Sequence, residues 1–281
     1  LTGLVGSVTP LTSLTTTSTS SGGLVLTGGS ITTSADQSYA TSISANNSVS
    51  LISNAGSLSI DRNMTLTGGS SNLLLKAAGN IDVLASRAVT TNGGSITLHS
   101  DSDASGAGYI KLASASSLTS NGGNITLGGG SAVATGYAVG SDLVNEGITL
   151  YQATISAGAG NVVLNGKGKS SGGTGVYLYG NPTATTTANY AGITNTTGNV
   201  TVNAYGVGAS NYGIFFNLPN TYIVSTSGDI AIQANGGIRL YYSSGVPRGD
   251  DPRVVTAGNG TITVGSTAAI DLNSSYIQAQ N

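Results

Sequence analysis

Apolar and polar residues alternate in short triplets along this chain, and the clearest triplets follow a glycine turn. Two copies are nearly identical: Thr90-Thr91-Asn92-Gly93-Gly94-Ser95-Ile96-Thr97-Leu98 and Thr119-Ser120-Asn121-Gly122-Gly123-Asn124-Ile125-Thr126-Leu127. Looser forms begin at Gly160, Gly198, Gly228 and Gly260. Period-two alternation over so few residues marks a strand with one buried face. Self-similarity at this spacing marks a solenoid.

Taken in threes, the triplets make coils. Residues 96–98, 110–112 and 118–120 form one; 200–202, 214–216 and Ile223 form another; the series runs from Leu24 to Ile277. The pattern predicts an all-β fold, a right-handed parallel β-helix: a triangular solenoid with three strands per coil and about eight to nine coils. Coils stacked at the strand spacing of ~4.8 Å would make a rod about 40 Å long. A sandwich or antiparallel barrel would not explain why the unit returns in the same order every third strand. Residues 1–22, rich in Thr and Ser, are expected to be an irregular leader or a strand borrowed by a neighbouring module. Residues 23–281 read as one β-helix whose loops lengthen in the second half. Solenoids usually need end caps. Neither end carries one, so the expectation is a segment of a longer rod or ends that meet those of identical copies.

Composition fits that reading. Of 281 residues 43 are Gly, and charged residues are only 7%, against roughly 25% in an ordinary globular domain. A mean hydropathy of +0.14 argues against disorder. Gly, Ser, Thr and Asn replace surface charges, which suits stacked strands where like charges would face each other. There is no electrostatic footprint for nucleic acid or anionic lipid. Cysteine is absent, so there is no disulfide framework. No apolar run approaches the ~20 residues of a membrane span, and no signal peptide opens the sequence. Neither nucleic-acid binding nor membrane insertion by this segment is expected.

The repeated Asn-Gly-Gly-Ser/Asn-Ile-Thr-Leu unit, with Ala-Gly-Asn-Ile-Asp-Val at 78–83, resembles filamentous-haemagglutinin-like exoproteins and autotransporter passengers. The resemblance covers roughly residues 24–281. It implies a bacterial surface or secreted β-helix acting as an adhesin, fibre or stalk. The secretion domain and outer-membrane barrel of those families have no counterpart here; Asn181-Pro182-Thr183 is only a turn in a loop.

Candidate contact residues lie in the second half, where 11 of the 13 tyrosines fall beyond residue 130. Aligning the middle strands on Gly147, Gly175, Gly213 and Gly237 turns Ile148/Leu150, Val176/Leu178, Ile214/Phe216 and Ile238/Leu240 inward. Tyr151, Tyr179 and Tyr241 then share an outward column, with Tyr177, Phe215 and Arg239 beside it. Such a stripe suits a fibre contact, a protein surface or sugar rings; equally, outward aromatics can simply stabilise a ladder. A second column, Thr97, Thr126, Val163, Thr201, Ala231 and Thr263, resembles the threonine ladders of ice-binding solenoids but is single and interrupted; β-propensity explains it. Arg248-Gly249-Asp250 spells an adhesion tripeptide in a Pro-bounded loop, a match that also arises by chance.

Catalysis has little support. β-Helix lyases and hydrolases need paired carboxylates or a calcium site on one sheet, whereas the 11 acids here are scattered. Asp101/Asp103 and Asp250/Asp251 are the tightest groups, both in turns. His99 is expected to be a surface residue without an acid–base partner. No cofactor, metal or catalytic residue is expected. The sequence therefore reads as a non-enzymatic extracellular β-helix, the shaft or repeating subunit of a bacterial cell-surface fibre or adhesin. Its expected partners are itself or the glycans and proteins of another cell. The competing class is a carbohydrate-active β-helix that binds or cleaves polysaccharide.

Overall fold

The computed structural model describes residues 1, 3–17, 23–181, 190–208, 211–241, 252–256, 258–273 and 275–279. Among these there is no helix, and every pairing between strands is parallel. The strands fall into three sheets visited in fixed rotation. Face A runs from Gly29–Thr33 to Ile262–Ser266, face B from Leu14–Thr16 to Ile270–Asn273, and face C from Leu24–Leu26 to Tyr276–Ala279. This is a three-faced parallel β-helix, and faces B and C each stack ten strands.

The tiers number ten, one or two more than the repeats suggest. The difference lies in the first residues. Leu14–Thr16 pairs with Gln37–Tyr39 on face B, while Val5 and Leu11 bridge to Ile31 and Thr33 on face A. One strand was also hidden. Gln37–Tyr39 has no aliphatic, yet both end residues point inward and are buried. Tyr39 donates its hydroxyl to Gln37 Oε1 at 2.8 Å, and Gln37 Nε2 donates to the Ile52 carbonyl at 2.7 Å. Their polar groups are thus satisfied inside the core, which makes their burial tolerable.

Elsewhere the alternation is obeyed. Ile81, Val83, Ile110, Leu112, Ile148, Leu150, Val176 and Leu178 on face B are fully buried; between them Asp82, Lys111 and Tyr177 are partly exposed, while Thr149 is covered. Burying each such side chain contributes about 1.5–3 kcal/mol.

The glycine of the repeat sits at the corner between faces C and A, and its role is steric. A Cβ on Gly123 would lie 2.2 Å from the Gly94 carbonyl oxygen, one on Gly160 2.0 Å from that of Gly123, and one on Gly198 1.9 Å from that of Gly160. Tiers can close to strand spacing there only because no side chain intervenes. The buried carbonyls of these glycines are capped from inside: Thr91 Oγ1 donates to Gly94, Ser120 Oγ to Gly123, and Thr256 Oγ1 to Gly260 at 3.0 Å.

The next residue builds a second ladder. Asn124 Oδ1 accepts the backbone N–H of Asn161 at 2.8 Å, Asn161 Oδ1 that of Asn199 at 2.9 Å, and Asn199 Oδ1 that of Asp229 at 2.9 Å. Asp229 Oδ1 receives both the N–H and the hydroxyl of Thr261, at 2.7 and 2.8 Å. These bonds hold its carboxyl below the usual carboxylate range, the backbone bond foremost.

Candidate functional site

Face B carries all six expected contact residues, and its register fixes their order. Tyr151 pairs with Tyr179, Tyr179 with Asn217 and Asn217 with Tyr241, so Asn217 interrupts the expected tyrosine column. Beside it run Thr149, Tyr177, Phe215, Arg239 and Asp271. All six expected contact residues therefore lie on one face.

Their orientation is more specific than a flat platform. The rings of Tyr151 and Tyr179 are parallel within 4° with centroids 4.7 Å apart. Rings lying side by side on the sheet could not approach so closely, so these two stack face to face along the rod axis. Their mutual faces are consumed, while Tyr151 remains 38% exposed. Tyr177 meets Tyr179 edge-on at 5.9 Å and Phe215 at 5.4 Å. Asn217 Nδ2 donates to the Tyr177 hydroxyl at 2.7 Å, and burial raises that phenol above its ordinary pKa.

Arg239 closes the upper end. Its guanidinium carbon lies 4.2 Å from the Tyr241 ring centroid, 5.4 Å from that of Tyr212 and 5.6 Å from that of Phe215. Nη1 donates to the Tyr212 hydroxyl at 3.2 Å, and Nε stands 3.1 Å from Asp271 Oδ2, a charge contact without hydrogen-bond alignment. Tyr212, Asn217 and Asp271 complete this cluster. The alignment on glycines could not find Tyr212, because the register between Tyr212–Asn217 and Gly237–Tyr241 shifts there.

The threonine column is in register as expected, from Thr97 through Val163 to Thr263. Arg248, Gly249, Asp250 and Asp251 lie outside the described residues. His99 departs from expectation: it is 8% exposed, and its Nε2 donates to the Gly130 carbonyl at 2.7 Å. The loop after residue 127 folds back over it, which strand position alone could not indicate.

Most of the described acids are engaged locally. Asp61 pairs with Arg62 and Arg87, and Asp142 with Lys169. Asp101 Oδ1 takes the N–H of Gly106 and Ala107 at 2.9 and 3.2 Å, folding its own loop. Asp82 accepts the Tyr109 hydroxyl at 3.1 Å. Among the described residues no three His, Asp or Glu gather as a metal-ligand set, and no helix is long and apolar enough to cross a membrane.

Fold and site together define a class: a parallel β-helix with a stacked aromatic cluster on face B. Compared with family models, curated proteins and solved structures, the chain matches none.

Proposed function

We propose that this β-helix is structural and adhesive: the shaft, or a repeating subunit, of a bacterial cell-surface fibre or adhesin, working outside the cell and assembling end to end. The observation that carries this reading is the continuous parallel stacking of all three faces over an aliphatic core. Such a body derives stiffness from its ladders without metal or disulfide. Ten tiers at ~4.8 Å make a rod about 48 Å long. On the last described tier the inward residues Ile270 and Leu272 are 45% and 46% exposed. A further tier, from the same chain or a second copy, would cover that apolar surface. Tyr151 and Tyr179 supply a lateral contact for the same chain or for glycans and proteins of another cell. The repeats' resemblance to filamentous-haemagglutinin-like exoproteins supports the placement outside the cell.

The rival reading, a polysaccharide-cleaving β-helix, needs two carboxylates facing one groove. The local pairing of Asp61, Asp82, Asp101, Asp142 and Asp229 favours the structural reading over it. Electron microscopy of the purified chain across a concentration series tests the proposal. Separate rods about 48 Å long, or filaments with that axial repeat, are expected. Compact particles without an axis, or turnover of a polysaccharide, would overturn it.

A further inference from the structure

Face A carries an outward groove that the glycine repeat does not advertise. Its register places Asn165, Asn203, Gln233 and Gly265 in one row and Lys167, Tyr205 and Asn235 in the next. The amide row is oriented from its lower end. Asn165 Nδ2 donates to the carbonyls of Val133 and Ala134 at 3.2 and 3.0 Å, so its Oδ1 is left to accept Asn203 Nδ2 at 2.8 Å. This leaves Asn203 Oδ1, and the whole side-chain amides of Gln233 and Asn235, without a hydrogen-bond partner among the described residues.

Tyr205 makes the wall. The Lys167 ammonium, one tier below, lies 5.3 Å from its ring centroid, and Tyr137 meets it edge-on at 6.5 Å and 68°. The ring face away from Lys167 is turned toward the tier of Asn235, and the residue is 37% exposed. Above Gln233 the row ends in Gly265, and the Gln233 amide lies over it: a Cβ there would come within 2.3 Å of Gln233 Oε1. Its volume is about 520 Å³, within the ~300–1,000 Å³ of ordinary ligand sites.

We infer that this groove binds a neutral oligosaccharide, with a sugar ring against Tyr205 and its hydroxyls held by Asn203, Gln233 and Asn235. A side-chain amide offers donor and acceptor together, which matches the paired hydroxyls of a sugar. A tyrosine face offers apolar area to the ring's C–H groups at low entropic cost. No carboxylate lines the groove, and the nearest cation, Lys167, already faces the Tyr205 ring. Those facts select a neutral ligand over an acidic one, and binding over cleavage. This site is independent of end-to-end assembly, so either reading can fail while the other stands.

Isothermal titration of the full chain tests it, using neutral hexasaccharides of glucose, mannose, galactose and N-acetylglucosamine, with a sulfated oligosaccharide for comparison. At least one neutral probe binds. Tyr205→Ala and Gln233→Ala each weaken that binding by roughly tenfold or more, as for a central anchor, and Asn235→Trp, which fills the groove, abolishes it. Thr65→Ala on face C leaves it unchanged. Unaltered melting temperatures of the variants establish that the fold persists. The inference is overturned if no neutral probe binds, if only the sulfated one does, or if binding survives Tyr205→Ala.

Discussion

Asn195 Nδ2 lies 2.9 Å from the carbonyl oxygen of Gly160, one tier below, and 3.1 Å from that of Gly198 in its own tier. Its Oδ1 accepts the N–H of Ala157 at 3.1 Å. In the two tiers below, Thr91 and Ser120 each cap the glycine of their own turn, but Ala157 has no hydroxyl for Gly160. Asn195 is long enough to serve two tiers.

Asn195→Ser would keep a donor for Gly198 and strip Gly160, leaving a buried carbonyl unpaired at a cost of about 1–3 kcal/mol. Adding Ala157→Ser restores the cap that Ser120 gives Gly123, and most of the lost stability returns. Denaturant midpoints of the two single variants and the double variant measure the coupling; simple additivity would refute the account.

The stacked glycines predict a contrast. Gly160→Ala drives a methyl to 2.0 Å from the backbone oxygen of Gly123, so it should cost at least the ~1–3 kcal/mol of an overpacked core. Gly69 has open space around a would-be Cβ and no positive φ, so Gly69→Ala should stay within about 0.5 kcal/mol of the parent. Thermal melts of both variants decide this.

Asp82 gives a pH signature. Burial raises its carboxyl pKa, opposed by the Tyr109 hydrogen bond and Lys111. Its protonated form therefore contributes stability that is full below the unfolded value of ~3.9 and is lost as pH rises through the raised folded value. Asp82→Asn can still accept from Tyr109 and carries no charge. It should melt above the parent at neutral pH, the gap closing near the unfolded value. An equal gap at both pH values would show that the charge is irrelevant.

The aromatic face can be tested as a unit. Replacing Tyr151, Tyr179 and Tyr241 by Ala removes the stack, worth about 0.5–1.5 kcal/mol beyond area burial, while the inward Leu150, Leu178 and Leu240 keep the core. The fold survives, and light scattering or microscopy should show weakened lateral contact. Unchanged association would remove these residues from any contact role.

Most of the fold was legible because its rule is local: an inward aliphatic, an outward polar residue, then another inward aliphatic, repeated after a glycine. Ile148, Leu150, Val176 and Leu178 obey that rule, and their strands fell where the rule put them. Gln37–Tyr39 escaped because its inward residues are polar and are reconciled by each other, a pairing that no periodicity encodes. The face B residues were legible as a column but not as a stack, since ring orientation depends on rotamers. The face A groove was illegible because Tyr137 in its lining comes from a loop whose return path has no repeat to betray it.

The asparagine row at the corner has a sense of direction. Asn124 serves Asn161, Asn161 serves Asn199, and Asn199 serves Asp229; a side chain always gives its acceptor to the tier that follows. The two edges of each of these tiers are therefore chemically unlike. One presents ordered acceptors, and the other presents bare N–H groups. A tier added on the first side meets a ready template, whereas one added on the second must first order its own amides and bear that entropy. The rod is in this sense a vector, its two directions along the axis chemically distinct.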